Sequence, residues 1–421
     1  MQRKLFWLAA GLWLGCSNSG GGPPKGGTSS GTSGGGDSMG QGNGMGSSGA
    51  SGSSGASGSS ASSGGADGGP RPASAPRVYV GGRKGIFVFR LDEADGALSA
   101  VQGPIDAEMN PTFLAVDPAR RRLFAVNELD EVDGEMSGSV SAFRIGPEDG
   151  TLALINRASS RGQGPAHLAT DRAGRFVLVA NYGGGTAAVL PVGQDGALGQ
   201  AVDEAAFGPR ALSHHAVTDP ANRFAFVTNL GSNAIAQFAF DADTGTLEPN
   251  TPPTLALPAG TTPRHLDFHP SGRFAYLINE NAGSITTLSY DPARGALSAV
   301  ATVSTLPDGA SAEENACAEV AVAPSGKFVY GSNRGHDSIA IFAVDPERGT
   351  LTLVGHAPTQ GRTPRHFQLS PTGKLLLVAN QRSSTIVAFH VDEATGALRP
   401  TGRVTEVPEP TYVGIVAPPG P

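Results

Sequence analysis

From Arg77 onward, short apolar runs alternate with clusters of turn-forming residues, and the alternation itself recurs as a unit. An apolar run ending in Asn closes at Asn127, Asn181, Asn229, Asn279, Asn333 and Asn380. A Leu preceded by Gly and then Ala or Thr stands at Leu98, Leu152, Leu198, Leu247, Leu297, Leu351 and Leu398. Both phrases return about every 50 residues, a period that signals solenoids, propellers or arrays. Residues alike in every copy are expected to be scaffold, and residues that differ are candidates for function.

One copy shows what the unit is. Pro165 to Thr170 is a short apolar run, and Asp171-Arg172-Ala173-Gly174 is a turn. Arg175 to Asn181 is β-branched and aromatic between turn signals, which predicts a strand. Gly183-Gly184-Gly185 turns the chain, Ala187 to Val192 predicts a third strand, and Asp195-Gly196 is a hairpin signal leading to a fourth that opens at Leu198. Four short strands per unit without helical periodicity describe a propeller blade. The first copy, from Arg77 to Val80, lacks an opening strand. The C-terminal run Pro410 to Pro418 reads like Pro111 to Pro118 and supplies it. The expected fold is therefore all-β: a seven-bladed β-propeller over residues 77–421, closed by the C-terminal strand pairing into the N-terminal blade.

Composition changes abruptly before that domain. Residues 1–16 carry Arg3 and Lys4, then the apolar stretch Leu5 to Leu14, then Gly15-Cys16. This is a signal segment too short to span a bilayer. Its Leu-Gly-Cys ending resembles a bacterial lipobox, so Cys16 is the expected lipidation site. Ser17 after it points to an exported protein anchored at the outer membrane by lipid alone. Residues 17–76, mostly Gly, Ser, Ala and Pro, cannot bury enough apolar surface to offset their ordering entropy. They are expected to form a disordered tether of ~45 Å root-mean-square span. The net charge of −7 and the lack of any basic run longer than Arg120-Arg121-Arg122 argue against nucleic acid as a partner. Cys317 is the only cysteine besides Cys16, and a monomer is expected.

Aligning the opening strands on the turn residues Pro118, Arg172, Pro220, Pro270, Pro324 and Pro371 isolates two rows. Five places earlier stand Phe113, His167, His215, His265, Glu319 and His366. A histidine shared by four copies reads first as a hydrogen bond tying strands within each blade. Six places earlier stand Thr112, Ala166, His214, Arg264, Ala318 and Arg365, a row too varied for scaffold. The next strand runs antiparallel, so its end lies beside this row. There the residue after each Asn is Glu128, Tyr182, Leu230, Glu280, Arg334 or Gln381. One face of the ring should gather His214, Arg264, Arg365, Glu128, Glu280 and Arg334 at the channel, walled by the insertions 129–138 and 304–316. Carboxylate, imidazole and guanidinium groups together suit a small anionic, oxygen-rich ligand. There is no short-spaced metal-ligand pair, and no Gly-x-Ser-x-Gly nucleophile elbow within residues 77–421, so neither a metal, a cofactor nor a covalent nucleophile is expected.

These residues resemble a known family. Gly164-Pro165-Ala166-His167-Leu168, Asn181 to Gly185, Pro263-Arg264-His265-Leu266, Asn279-Glu280-Asn281 and above all Asn333-Arg334-Gly335-His336-Asp337-Ser338-Ile339 are similar to segments of the propeller-type 6-phosphogluconolactonases. The same fold family includes fungal 3-carboxy-cis,cis-muconate lactonising enzymes, whose proposed site of one His, two Arg and one Glu falls on His214, Arg264, Arg334 and Glu280. The resemblance implies hydrolysis of a sugar lactone, with Glu280 or His214 activating water and Arg264 and Arg334 holding the oxyanion. Arg365, His265, Glu128 and His336 become candidate substrate contacts. A muconate-type cycloisomerase and a non-catalytic surface-tethered propeller that binds a sugar or protein are the alternative readings.

Overall fold

A computed structural model describes residues 75–417. The predicted signal segment with Cys16, and the Gly/Ser-rich stretch up to residue 74, lie outside the described residues. The described chain folds into seven four-stranded antiparallel sheets arranged as the blades of a propeller. Among the described residues the only helical turns are three 3₁₀ segments, Ala107–Met109, Ala312–Glu314 and Gln381–Ser383. The ring closes through the C-terminal strand Pro410–Val416, which pairs antiparallel with Arg77–Gly82 from Val416 opposite Arg77 to Val413 opposite Val80. Thr411 reinforces the joint, its hydroxyl lying 3.1 Å from Gly81 O and 2.8 Å from Thr112 O.

The core is distributed as one apolar layer between each pair of neighbouring blades. At the closure, Val78, Val80, Val413 and Ile415 of the first blade pack on Leu375, Leu377 and Ile386 of the seventh. Burial between sheets, rather than within one, makes each blade depend on both neighbours.

The repeated phrases have structural meanings. The Asn side chains are buried, and several tie the end of a blade's second strand to its third: Asn279 donates to Ser284 at 3.0 Å and Thr286 at 2.9 Å, and Asn127 does the same to Ser139 and Ser141, whereas Asn229 accepts from Ser213 of the first strand. In the second, sixth and seventh blades the Gly of Gly-(Ala/Thr)-Leu offers its carbonyl to a buried tyrosine of the preceding blade. Tyr79 donates to Gly150 O at 2.9 Å and Tyr276 to Gly349 O at 2.9 Å. Gly150 has φ 75°, a conformation costly for any residue with a Cβ.

The third blade departs from expectation in one strand. Its fourth strand is Asp203–Ala206 and does not open at Leu198, which makes only an isolated bridge with Val192. The Asn156 carboxamide receives Leu198 N–H at 2.9 Å and donates to Leu198 O at 2.9 Å, so both backbone groups of Leu198 are satisfied across the blade interface.

Candidate active site

The innermost strands Ser213–Thr218, Pro263–Phe268 and Pro364–Leu369 line the channel, and each carries a register slip at its start. In the fifth blade Pro263 pairs with Asn279 but His265 pairs with Ile278, which leaves Arg264 as an extra, bulged residue. His214 and Arg365 are bulged in the same way. A bulge breaks the strict alternation of side chains and re-aims one of them. Arg264 and His265, adjacent in sequence, can therefore both be turned inward, in an upper and a lower layer.

In the upper layer a single oxygen, Glu280 Oε2, lies 2.9 Å from Arg264 Nε and 3.2 Å from Arg334 Nη2. Both guanidiniums are anchored on the start of the sixth blade's inner strand, Ala316–Val322. Arg264 Nη1 donates to Ala318 O at 2.6 Å, while Arg334 Nε and Nη2 donate to Ala316 O at 3.1 Å and Cys317 O at 2.9 Å. Burial works to raise the Glu280 carboxyl, but Arg334, Arg264 and Arg365 outweigh it and hold the group below the usual carboxylate range. Burial and the charge of Arg334 depress Arg264, whose side chain is almost entirely enclosed.

His214 joins this layer with its ring 5.5 Å from Tyr182 and 5.1 Å from His265. Its pKa falls well below the ordinary histidine value, first through burial and then through Arg264, Arg365 and Arg334, so the imidazole is neutral. His214 Nδ1 has no hydrogen-bond partner, and the short Arg264 Nε contact with Glu280 is an ion pair without hydrogen-bond alignment. Unpaired buried polar atoms cost about 1–3 kcal/mol each. His214 Nδ1 is such an atom, and it marks a place where folding is not the quantity being optimised. Arg365 is depressed by burial and Arg334, with Glu128 and Glu280 opposing, so both carboxylates lie within its electrostatic reach.

The lower layer is a ring with one member from every blade: Tyr412, Phe113, His167, His215, His265, Glu319 and His366. Ring centroids are 4.8 Å apart for Tyr412 and Phe113, 4.3 Å for Phe113 and His167, 4.0 Å for His167 and His215, and 4.9 Å for His215 and His265. Glu319 Oε2 continues the circle, 3.0 Å from His265 Nδ1 and 3.3 Å from His366 Nε2, and His366 returns to Tyr412 at 4.4 Å. Phe113 also meets His265 and His366 across the ring, so the layer fills the channel beneath the site. The histidine row therefore joins blade to blade at the axis, and the expected tie within each blade is corrected. A residue at the axis is nearer to the neighbouring blade's inner strand than to its own outer ones. His167 Nδ1 accepts from Ala216 N–H of the next blade at 3.4 Å. The imidazoles stack at tilted angles rather than converging on a point, and among the described residues no three His, Cys, Asp or Glu are set to hold a metal ion.

His336 is placed apart from the upper layer. Its Nδ1 is 2.7 Å from Ser338 Oγ and its ring packs against His356 on the blade's outermost strand, Leu351–Pro358.

Residues 77–415 match the family model described as "Lactonase, 7-bladed beta-propeller". The chain belongs to the seven-bladed β-propeller lactonase family. Within that family it is 33% identical to a 6-phosphogluconolactonase of Bacillus subtilis over 296 residues, which is 68% of this chain and 81% of the relative. It is 33% identical over 295 residues to a 6-phosphogluconolactonase of Pectobacterium carotovorum, covering 69% and 84%. A solved structure of a periplasmic gluconolactonase from Pseudomonas aeruginosa superposes with a TM-score of 0.74 at 31% identity, covering 82% of this chain and 99% of that one.

Two residues of this lactonase fold escaped selection from sequence. Tyr182 faces the same cluster: burial and Glu280 raise its phenol, while Arg264, Arg334 and Arg365 oppose. Its position directly after Asn181, equivalent to Glu280 and Arg334, was the available signal. Glu319 stood in the histidine row as the one carboxylate, and that break in pattern was the signal for it.

Proposed function

We propose that this protein hydrolyses a sugar lactone of the aldonolactone type, with water as the nucleophile. The observation that carries this is the Glu280 carboxylate held between Arg264 and Arg334 beside a neutral, enclosed His214. Family membership supports the reading, as do relatives named for hydrolysis of gluconolactones.

In the proposed reaction a water molecule attacks the lactone carbonyl, and His214 takes its proton. A neutral imidazole is competent to accept one. Its strength is low in the free site first because it is buried and then because three guanidiniums bear on it, and an anionic group placed against those guanidiniums would lift the second penalty. Arg264 and Arg334 are the donors for the oxyanion of the tetrahedral intermediate, where charge-assisted hydrogen bonds are strongest. Collapse breaks the ring C–O bond, and the ring oxygen leaves with the proton that His214 took from water. Lactone plus water becomes the hydroxy acid, and the enzyme is regenerated. Glu280, bound on one oxygen by both guanidiniums, keeps them fixed.

A panel of phosphorylated and unphosphorylated aldonolactones followed with a pH indicator, with spontaneous opening subtracted, tests this reading. Ring opening that the wild type accelerates and His214→Gln does not is expected. No acceleration over the whole panel would discard the reading in favour of a binding propeller.

We also infer that the protein is exported and lipid-anchored through Cys16 at the outer membrane. The apolar segment ending in Leu14-Gly15-Cys16 supports this, as does similarity to a periplasmic gluconolactonase. Cys16→Ser should move the protein from the membrane to the aqueous fraction, because lipid is the only anchor this reading provides.

A further inference from the structure

We propose that Glu319 is a positioning residue for Arg264, acting through His265 held in one tautomer. The proposal rests on the lactonase reading for what Arg264 does, but not for how Arg264 is held.

The chain of contacts is continuous. His265 Nε2 lies 3.2 Å from Arg264 Nη1, and His265 Nδ1 lies 3.0 Å from Glu319 Oε2. A guanidinium has only donors, so His265 Nε2 is the acceptor. Burial and Arg264 keep His265 neutral, which puts its single proton on Nδ1, directed at Glu319. His366 is fixed by the same logic. Its Nδ1 accepts from Val413 N–H at 3.4 Å, so Nε2 carries the proton and faces Glu319 Oε2 at 3.3 Å. Glu319 Oε1 accepts from Val320 N–H at 3.1 Å. Each of these groups is a donor, the set that suits a carboxylate. Burial pushes the Glu319 carboxyl up to about 8, with Arg264 and the Val320 N–H opposing only in part; because Arg264 already occupies His265 Nε2, Oε2 must accept the Nδ1 proton whether or not Oε1 carries one.

The tautomer matters because Arg264 Nη1 is held by two acceptors at once, His265 Nε2 and Ala318 O, with its Nε left 2.9 Å from Glu280. If His265 carried its proton on Nε2, two N–H donors would oppose each other at 3.2 Å inside a closed layer. The guanidinium would have to withdraw, and its contact with Glu280 would go with it. Only an acceptor at Nδ1 prevents this. The sixth blade supplies that acceptor where the other blades place aromatic or imidazole rings, and it does so next to Ala318, the residue whose carbonyl receives Arg264.

Two measurements on the full chain test the proposal. Nitrogen-15 spectra of the histidines, with His265 assigned by its loss in His265→Leu, should show the wild-type ring protonated on Nδ1 and unprotonated on Nε2. The opposite tautomer overturns the proposal, whether or not any lactone is opened, and this spectrum needs no folded variant at position 319. The second is a double-mutant cycle on an aldonolactone that the wild type opens. Glu319→Leu should lower kcat/KM about ten- to a hundredfold in the wild-type background, yet cost less than about threefold when His265 is already Leu. Equal cost in both backgrounds, or none in either, overturns it. If the wild type opens no lactone, the functional reading fails alone and the spectrum decides the positioning role.

Discussion

At the scale of single residues, the site is a matter of geometry that a charge count does not capture. Arg264 grips Ala318 O with Nη1 and faces Glu280 with Nε, while Arg334 grips Ala316 O with Nε and turns Nη2 to both Cys317 O and Glu280. An ammonium is a point charge that cannot span both. Arg264→Lys and Arg334→Lys should therefore each cost about 1.5–3 kcal/mol in kcat/KM, roughly ten- to a hundredfold. Arg175 is the control: it is exposed, pairs with Asp243 at 2.9 Å, and should tolerate Lys. Indifference at all three positions would remove the proposed site. The rows holding these residues were readable because blades repeat and can be compared with one another. What could not be read was that Arg264 and His265, neighbours in an inner strand, are both turned inward. A regular strand would send one of them outward, and only the bulge in the register reverses that.

At the scale of elements, strands and closure were legible because both leave strong local marks: β-branched runs between turns, and a C-terminal copy of the missing strand. Deleting residues 409–421 removes Pro410–Val416, leaves Arg77–Gly82 without its inner partner and strips Val413 and Ile415 from the last inter-blade layer. Two exposed sheet edges invite association. The truncated protein should aggregate or unfold without a cooperative transition, and a soluble product with an unchanged melting profile would contradict closure by this strand. The late start of the third blade's fourth strand was not legible, since the two copies are held alike: Gln102 clamps both backbone groups of Leu152 as Asn156 clamps those of Leu198, yet the second blade's fourth strand opens at Leu152. Asn156→Ala should unpair both backbone groups of Leu198 and lower stability by about 1–3 kcal/mol, read as a shift in urea midpoint with unchanged slope. A midpoint that stays put would mean that Leu198 finds other partners.

At the scale of the whole molecule, the seven blades meet at an axis filled by imidazoles that must stay neutral. Burial depresses His167, His214 and His265 well below the ordinary value, and His215 and His366 to about 3. A group whose folded pKa lies below its unfolded one gives its full stabilisation above the unfolded value, near 6.5, and loses it as the pH falls toward the folded value. Glu319 works in the opposite sense. Its folded pKa is raised, so its contribution is full below about 4.5 and is lost as the pH rises through the folded value, offsetting part of the histidine slope. The unfolded chain thus binds more protons than the folded one between about pH 6.5 and 4.5, and stability must fall on acidification by about 1.4 kcal/mol per pH unit for each histidine left uncompensated. The melting temperature should drop steeply below about pH 6. His215→Phe isolates the cause: its Nδ1 has no hydrogen-bond partner, and Phe113 shows that the ring layer accepts a phenyl group at this position in a blade. That variant should release about one proton's worth of slope, ~1.4 kcal/mol per unit, and melt higher than the wild type at about pH 5. A wild-type melting temperature that is flat from about pH 7 to 5 would mean that the axis tolerates charged imidazolium, and that the ring is not the closed, dry layer its contacts describe.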